Sequence, residues 1–396
     1  MGDKNLKILI IPSADLSYDS GSVIYAKKLF TYLLKHGHEV YMLSNCVPKD
    51  FTSYEKKHIV VKENLLFHPI INDREVNDWM YFAMCKEIID AAETIMKQIG
   101  KFDVIHAHYA SINSYAASVI HNLLNIPYVI SSFGRDLTIG YYYDHRIRNF
   151  IYKSYIDAKY IITPDSSIKK AIENKFSVDI IDNKVSIIPM PVDNEIFKQG
   201  TLKMINTNNR IVITSINSCF TEEKGIKIII DAFSLVLKEY DAILYIAGDD
   251  DDDDKINLRE LKERVKKLNI ENNVIFLGYL SRSNVGELLR KTDIFVDARI
   301  NGNFSSVLLE AQFLNVVSIV SESGFSRNII NGGNGVLFKS GDAQDLYFHI
   351  KEIIENIKIG KDIKKATKMW VKHNGYRFSE EFCFQKMEKI YSDCIN

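Results

Sequence analysis

The chain has 396 residues, of which 46% are hydrophobic and 26% charged, and a formal net charge of -1 at pH 7. This length allows two domains of ordinary size. The balanced charge excludes a net positive electrostatic field over the whole protein that would attract nucleic acid or an anionic membrane. Five cysteines without a C-x-x-C pair are typical of reduced thiols, and no segment approaches the roughly 18 apolar residues of a membrane span, so we expect a cytoplasmic protein.

The N-terminal part of the chain alternates short aliphatic strands with helical patterns. Lys7–Ile11 is a predicted strand, Val23–His36 has the apolar spacing of a helix, and Glu39–Leu43 is the next predicted strand. This order implies a parallel sheet, and the alternation continues as far as Val185–Pro189. The polar stretch Val192–Asn209 has no periodicity, and we interpret it as a linker.

A second β/α series begins at Ile211–Ile216 and ends with a predicted helix near Asp345–Ile357. The predicted fold class is therefore α/β, with two Rossmann-like doubly wound domains facing across a cleft. The first domain comprises residues 1–192, with a helical tail, residues 360–396, packing back on it, and the second comprises residues 209–359. Neither first strand is followed by G-x-G-x-x-G, and G-x-x-x-x-G-K-[ST] is absent from the sequence, which disfavours a nicotinamide dehydrogenase and a P-loop NTPase.

The segment Asp297–Gly335 carries the most informative functional pattern. A polar loop leads into an apolar helix start at Val307, and Ser305 and Ser306 stand where a helix N-cap belongs. Unpaired N–H groups and the positive end of the helix dipole receive anions there, and Glu310 lies one turn inside the helix on the face toward that anion. Together these features describe a site for a nucleotide ribose diphosphate. A capped surface helix is the alternative that this segment alone leaves open.

Several short motifs follow one another along nearly the whole chain: GHEV at 37–40, DVIHAH at 103–108, IPxxVDxxxF at 188–197, EKG at 223–225, AGD at 247–249, FLG at 276–278, VLLEA at 307–311 and NG at 334–335. In this order they resemble the retaining GT-B glycosyltransferases of glycosyltransferase family 4. The resemblance implies transfer of a hexose from a nucleotide diphosphate sugar, of UDP or GDP type, to a hydroxyl acceptor. It also implies retention at the anomeric carbon and no metal or other cofactor, with a glycan, a lipid carrier or a small molecule as acceptor.

The resemblance assigns donor binding to Lys224, Glu310 and Gly21 as well as to the helix start. Lys224 resembles the family lysine that neutralises the diphosphate leaving group, and a lysine at a helix start is otherwise disfavoured by the dipole. Glu310 resembles the second glutamate of the family's E-x7-E motif, which accepts hydrogen bonds from the ribose hydroxyls. Gly21 resembles the N-terminal glycine loop, which lets the backbone approach the diphosphate or the acceptor. The backbone of Ser306 and Val307 is expected to contact the diphosphate. A solvated lysine and an exposed helical glutamate are the alternatives for these two side chains.

Three positions depart from the family pattern. Gly302 stands eight residues before Glu310, where the first glutamate of E-x7-E holds sugar hydroxyls, and Cys219 stands where an arginine holds the diphosphate. Phe133 replaces the histidine that lies near the reacting carbon of the sugar. Asn301 is a catalytic candidate because its amide, or that of Asn303, can take over the sugar hydroxyls. The departures also motivate an alternative function, a non-catalytic glycosyltransferase-like binding subunit with a degenerate donor site.

The second catalytic candidate is His108. It alternates with His106 along a predicted strand end, so one ring faces the cleft while the other packs against a helix. We predict that His108 contacts donor or acceptor, and a structural histidine is the alternative. Arg299, Arg327 and Arg135 are the candidates to supply a guanidinium in place of the family arginine.

Six consecutive aspartates, Asp249–Asp254, contain the Asp-x-Asp pattern that metal-dependent glycosyltransferases use to hold a divalent cation. Like charges in such a run are typical of a solvated loop, so we predict no metal site.

The segment Tyr141–Tyr155 interleaves aromatic residues with Arg146, Arg148 and Lys153. We interpret it as an amphipathic helix whose aromatic side chains fill the core. The alternative is peripheral contact with the inner face of a membrane, or stacking on a sugar or lipid carrier. The sequence has no basic run or RNA-binding signature, so nucleic acid is not an expected partner.

Overall fold

The chain forms two compact units in the computed structural model, the first made of Met1–Pro191 with Glu380–Asn396 and the second of Val192–Ser379. The residues that the structure describes are 5–16, 21–62, 78–134, 136–137, 145–175, 183–202, 210–250, 255–300 and 304–395. Within these residues no helix is both long enough and apolar enough to cross a membrane.

The first unit contains a seven-stranded parallel sheet with helices between its strands. Its strands are β1 (Lys7–Ile11), β2 (Glu39–Ser44), β3 (Ile59–Val61), β4 (Val104–His108), β5 (Tyr128–Ser131), β6 (Tyr160–Thr163) and β7 (Val185–Ile187). Its helices before the second unit begins are α1 (Gly21–Lys35), α2 (Ser53–Lys56), α3 (Asp78–Ile99), α4 (Ile112–Leu124), α5 (His145–Asp157) and α6 (Ser166–Lys175). The strand order is β3-β2-β1-β4-β5-β6-β7, and β4 is buried along its whole length because helices cover both faces of such a sheet.

The second unit repeats this architecture with a six-stranded parallel sheet in the order β10-β9-β8-β11-β12-β13. Its strands are β8 (Ile211–Cys219), β9 (Ala242–Asp249), β10 (Val274–Gly278), β11 (Ile294–Asp297), β12 (Val317–Ser321) and β13 (Val336–Phe338). Its helices are α7 (Ile226–Val236), α8 (Ile256–Lys267), α9 (Arg282–Arg290), α10 (Ser306–Phe313), α11 (Gly324–Ile329), α12 (Ala343–Glu355) and α13 (Ile357–Asn374). The last helix, α14 (Glu380–Ile395), belongs to the first unit. Two parallel-sheet α/β units confirm the predicted fold class of two Rossmann-like domains, and the cleft between them stays a prediction.

The tail returns to the first unit later than the predicted residue 360. The side chains of Trp370 and Phe378 stack with ring centroids 5.8 Å apart inside the core of the second unit. The backbone N–H of Val192 donates to the carbonyl of Phe378 at 2.9 Å. Because these contacts hold α13 in the second unit, the chain leaves that unit after Ser379, and the unit begins at Val192 rather than at 209.

Two apolar clusters cover the two faces of the second sheet. Helices α7, α8 and α12 contribute to one cluster, helices α9, α10 and α11 contribute to the other, and α13 contributes to both. Helix α10 is buried over six consecutive residues, Val307–Gln312, because it packs between the sheet and α13. This packing holds the first turn of α10 in place at the carboxyl edge of the sheet, beside β11.

Candidate functional site

The loops that follow β8 and β11 touch each other at the carboxyl edge of the second sheet. These two strands are neighbours, and after β8 the chain makes a tight helical turn at Glu222–Lys224. Gly225 ends this turn with φ +66°, and a Cβ on it would lie 2.0 Å from the carbonyl oxygen of Ala298. The N–H of Ile300 donates to the carbonyl of Glu223 at 2.9 Å. The EKG turn therefore lies against the loop that leads into α10.

Lys224 is the last residue of this turn, and its side chain is partly exposed beside the start of α7. Its backbone N–H donates to the carbonyl of Thr221 at 3.0 Å, which fixes the turn. The structure thus brings the lysine turn and the loop before α10 to the same edge of the sheet. The role of Lys224 in holding a diphosphate stays a prediction.

A network of side chains shapes the loop between β11 and α10. Ser305 is the N-cap of α10, since its hydroxyl accepts from the N–H of Leu308 at 3.3 Å. The same hydroxyl donates to Asp297 Oδ2 at 2.7 Å, so it is already engaged within the protein. Asp297 also accepts from Arg299 Nε at 3.0 Å, and Arg299 Nη1 donates to the carbonyl of Phe304 at 3.0 Å. Ser305 consequently caps α10, and its contact with a donor stays a prediction.

The helix itself offers the backbone N–H groups of Ser306 and Val307 to an anion. The first N–H groups of an α-helix have no carbonyl partner within the helix, and they carry the positive end of its dipole. A small pocket of about 210 Å³ lies beside this helix start, and it is lined by Asp297, Arg299, Ser305, Leu308, Val320, Ser321, Ser323, Phe325 and Ser326. Six of these nine lining residues have polar side chains.

The arginines considered as substitutes for the family arginine have other partners. Arg299 holds the loop as described, and its side chain is mostly buried. Arg327 is an exposed residue that pairs with Glu322 at 2.6 Å. Arg135 lies outside the described residues, as do Gly302 and the predicted catalytic residue Asn301. Neither of the two described arginines therefore shows a guanidinium reserved for a ligand.

Glu310 is buried, not the exposed helical glutamate that was the alternative interpretation. Only 1% of its side chain is accessible, and its Oε1 accepts a hydrogen bond from Arg282 Nη2. Arg282 Nε donates to Asp193 Oδ2 at 3.0 Å, so one guanidinium joins two carboxylates. Burial lowers the pKa of Arg282, but Glu310 and Asp193 outweigh this effect and raise the pKa above its usual value. Arg282 was missed from the sequence because nothing local marks it as the partner of a residue on another helix.

His108 ends β4 in the first unit and has no accessible surface. Aromatic rings enclose it, with centroids 5.6 Å away at Tyr25, 5.9 Å at Phe133 and 4.5 Å at His106. Neither ring nitrogen has a hydrogen-bond partner among the described residues, and burial lowers the pKa of His108 to about 3. The ring is therefore neutral near pH 7, and in this conformation the structure favours the alternative of a structural histidine.

His106 connects the first sheet to the C-terminal helix. Its Nδ1 lies 2.6 Å from the hydroxyl of Tyr391 on α14, and its Nε2 lies 2.8 Å from the hydroxyl of Ser131 on β5. Gly21 lies elsewhere in this unit, as the exposed first residue of α1. The donor or acceptor contact predicted for Gly21 remains a prediction, like the sugar contact predicted for Asn301.

The described residues contain no group of three or more His, Cys, Asp or Glu side chains able to hold a metal ion. Of the aspartate run, Asp249 pairs with Lys255 at 2.8 Å, and Asp250 Oδ2 accepts from the N–H of Leu258 at 2.7 Å. These two aspartates therefore support the start of α8, and residues 251–254 lie outside the described part of the chain.

Two family models match the chain, one for each unit. The model for glycosyl transferases group 1 matches residues 203–370, and the model for Glycosyltransferase Family 4 matches residues 20–196. The first match lies in the second unit and contains the lysine turn and α10. The second match covers most of the first unit.

Similar proteins extend over the whole chain. N-acetyl-alpha-D-glucosaminyl L-malate synthase of Bacillus anthracis is 23% identical over 389 residues, which is 95% of this chain and 94% of the relative. Sucrose-phosphate synthase from Thermosynechococcus elongatus superposes with a TM-score of 0.81 at 16% identity, covering 98% of this chain and 99% of that one. HepE from Anabaena, solved in complex with UDP-glucose, has a TM-score of 0.77 at 16% identity, covering 98% and 100%. The structural matches show a shared fold.

Proposed function

Because the chain belongs to the family-4-like glycosyltransferases of the GT-B type, we propose that it is a retaining hexosyltransferase that uses a UDP- or GDP-sugar. The bond between the anomeric carbon and the diphosphate oxygen breaks, and a bond from that carbon to an acceptor hydroxyl oxygen forms on the same face. The acceptor proton passes to the departing diphosphate. The reaction therefore requires no side-chain nucleophile.

The contact between the EKG turn and the loop before α10 carries this proposal. It brings the Lys224 turn and the N-terminal amides of α10 to one edge of the sheet. A cation and a helix N-terminus both stabilise the negative charge that develops on a leaving diphosphate. Glu310 lies one turn further along α10. In this proposal its carboxylate accepts charge-assisted hydrogen bonds from the ribose hydroxyls.

The leaving group is stabilised by protein groups and not by a divalent cation in this proposal. Lys224 supplies a point charge, and the amides of Ser306 and Val307 supply oriented dipoles at the start of α10. The acceptor carries a hydroxyl group and is a glycan, a lipid carrier or a small molecule. The malate synthase among the relatives supports an acceptor class that includes small molecules.

A non-catalytic binding subunit is the second candidate, and the position of Cys219 favours it. This side chain is 4% exposed at the end of β8, where the family arginine would supply a guanidinium. A buried thiol provides no positive charge for a diphosphate, so donor binding without turnover is the outcome that this substitution favours.

The two candidates are separated by incubating the protein with UDP- and GDP-sugars in the presence and absence of EDTA. The released nucleotide reports hydrolysis, and mass spectrometry of an acceptor panel of sugars, lipids and hydroxy acids reports transfer. We expect transfer that persists in EDTA. Calorimetric binding of UDP or GDP with no turnover identifies the binding subunit, and activity that disappears with chelation contradicts the metal-free mechanism.

The Lys224→Ala variant tests the proposed diphosphate site. Loss of one charge-assisted contact is expected to weaken UDP or GDP binding about 10- to 100-fold, while the nucleosides uridine and guanosine bind as before. Calorimetry measures both affinities. Lys227→Ala is the matched control, since Lys227 is an exposed lysine three residues away that pairs with Glu260 at 2.8 Å. An equal loss of nucleoside binding, or no loss of diphosphate binding, contradicts the assignment.

A further inference from the structure

One arginine and two carboxylates form a buried cluster that joins three elements of the second unit. Arg282 is the first residue of α9, Glu310 lies on α10, and Asp193 precedes the short helical turn Asn194–Phe197. Their side chains are 20%, 1% and 7% accessible, respectively. Burying a charge costs free energy unless the charge is paired and hydrogen-bonded. The presence of three buried charged groups at this place therefore requires an explanation.

The cluster determines how the Glu310 carboxylate is oriented. Asp193 is itself held, because its Oδ1 accepts from the N–H of Glu195 at 3.0 Å while its Oδ2 accepts from Arg282 Nε. A guanidinium is a rigid planar fork, so fixing Nε also fixes the direction in which Nη2 points. Arg282 Nη2 then holds Glu310 Oε1. The orientation of the Glu310 carboxylate is thus set by a chain of contacts that begins at the turn Asn194–Phe197.

Stability alone does not require this arrangement. Apolar residues of similar volume commonly replace buried ion pairs without loss of stability, whereas Glu310 is the only charged residue in the sequence SVLLEAQF of α10. The first turn of that helix is the proposed diphosphate site. A carboxylate one turn beyond it must keep a fixed direction if it is to accept hydrogen bonds from a ribose, because those bonds weaken steeply with angle.

We infer that Arg282 is a positioning residue, which orients the Glu310 carboxylate toward the ribose hydroxyls of the donor nucleotide. This inference rests on the proposed function and deepens it. Arg282 acts through Glu310 and not on the reacting atoms. If Arg282 only stabilised the fold, its replacement would change the affinity for nucleotides with and without ribose hydroxyls alike. The measurement that shows positioning is therefore a loss of affinity that depends on the ribose hydroxyls.

The test uses the full-length chain and compares UDP and GDP with their 2′,3′-dideoxy forms by calorimetry. Arg282→Lys keeps the positive charge but lacks the rigid planar fork that contacts both carboxylates in a fixed direction. We expect it to weaken binding of the ribose nucleotide about 10-fold or more, with less than a ~2-fold change for the dideoxy nucleotide. Asp193→Asn, which disturbs the anchor of Arg282, is expected to show the same ribose-dependent loss to a smaller extent.

Arg290→Gln is the matched control because it removes a contact that holds the turn Asn194–Phe197 but leaves the contact between Arg282 and Glu310 in place. Arg290 lies on the same helix, α9, and its Nη2 donates to the carbonyl of Ile196 in the same turn at 2.7 Å. The Arg290→Gln variant should have the same ratio of affinities for the ribose nucleotide and the dideoxy nucleotide as the unmodified protein. Thermal unfolding of each variant verifies that it folds.

Three results overturn the inference. Arg282→Lys weakens both nucleotides equally, or leaves the ribose nucleotide unaffected, or changes the affinity ratio no more than Arg290→Gln does. In each of these cases the unmodified protein still binds UDP or GDP, so the proposed function stands. If the unmodified protein binds neither nucleotide, the proposed function fails and the positioning role fails with it.

Discussion

At the scale of single residues, Glu310 and His108 show two ways in which the protein accommodates a buried ionisable group. Glu310 is charged and is balanced by Arg282, which Asp193 holds in place. His108 is enclosed by aromatic rings and stays neutral, since burial lowers its pKa to about 3. The first arrangement pairs a charge within the interior, whereas the second avoids a charge there.

The buried state of His108 predicts a pH dependence of stability. The folded-state pKa of about 3 lies below the ordinary value of 6.5, so between these values the unfolded chain binds the additional proton. The contribution of the neutral His108 ring to the free energy of unfolding is fully present above pH 6.5 and is lost as the pH falls toward 3. We expect His108→Leu to reduce the acid-induced loss of unfolding free energy by up to about 1.4 kcal/mol per pH unit in that window.

Urea unfolding at several pH values between 4 and 7 measures this effect. His106 keeps part of the pH dependence, because burial and the neighbouring His108 also lower its pKa. Replacement of the exposed His373 by Gln serves as the control and should leave the profile as in the unmodified protein. An unchanged slope in His108→Leu shows that His108 already takes up a proton in the folded state.

At the scale of elements, the candidate site depends on how closely the EKG turn approaches the loop after β11. Gly225 makes that approach possible, because it has a left-handed backbone and no Cβ to meet Ala298. The bond from the Ile300 N–H to Glu223 then holds the two segments together. The position of Lys224 is therefore a property of two contacting loops and not of its own turn alone.

Gly225→Ala is predicted to disrupt this contact. A Cβ 2.0 Å from a backbone oxygen forces the turn away from the loop, and a left-handed alanine adds about 1–2 kcal/mol of strain. We expect a loss of roughly 3 kcal/mol or more in unfolding free energy, with weaker binding of UDP or GDP. Denaturant unfolding and calorimetry measure the two effects.

Gly341→Ala is the control for the backbone conformation. Gly341 has φ +82°, and no atom lies within 4 Å of its ideal Cβ position. This variant should lose only about 1–2 kcal/mol and keep its affinity for the nucleotide. If the two variants lose the same stability, the close approach at Ala298 is not what determines the geometry of the turn.

At the scale of the whole molecule, the last helix, α14, belongs to the first unit, although nearly two hundred residues of the second unit separate it from the rest of the first unit in the sequence. Helix α14 buries Cys383, Phe384, Met387, Ile390, Tyr391 and Cys394. The ring of Phe384 packs against Tyr25 and Tyr32 on α1, with centroids 5.6 and 5.2 Å apart. The hydroxyl of Tyr391 reaches His106 on β4. The first unit is thus completed only by residues that follow the second unit in the chain.

Truncation after Ser379 is expected to destabilise the first unit selectively. The deletion exposes the apolar surfaces that Phe384, Met387 and Tyr391 cover, which corresponds to a loss of about 5 kcal/mol or more. Amide hydrogen exchange followed by mass spectrometry should show faster exchange in β1 and β4, with β8 and β11 unchanged. Tyr391→Phe removes only the hydroxyl and should cost about 1 kcal/mol. Equal acceleration in both units contradicts a selective role for α14.

The sequence by itself determined the fold class and several elements of the candidate site. Short aliphatic runs and helical apolar spacing depend on residues a few positions apart, so the two β/α series were visible without tertiary contacts. The N-cap at Ser305 was also predictable, because helix caps are local. The order of motifs along the chain then indicated the family.

Only the tertiary structure decided which of these residues meet. Arg282 lies 28 residues from Glu310 and 89 from Asp193, and His106 lies 285 residues from Tyr391. No periodicity links such positions, since their proximity follows from the strand order of each sheet and the packing of helices on it. For the same reason the point at which the chain returns to the first unit was determined by the packing of α13 and Phe378 in the second unit.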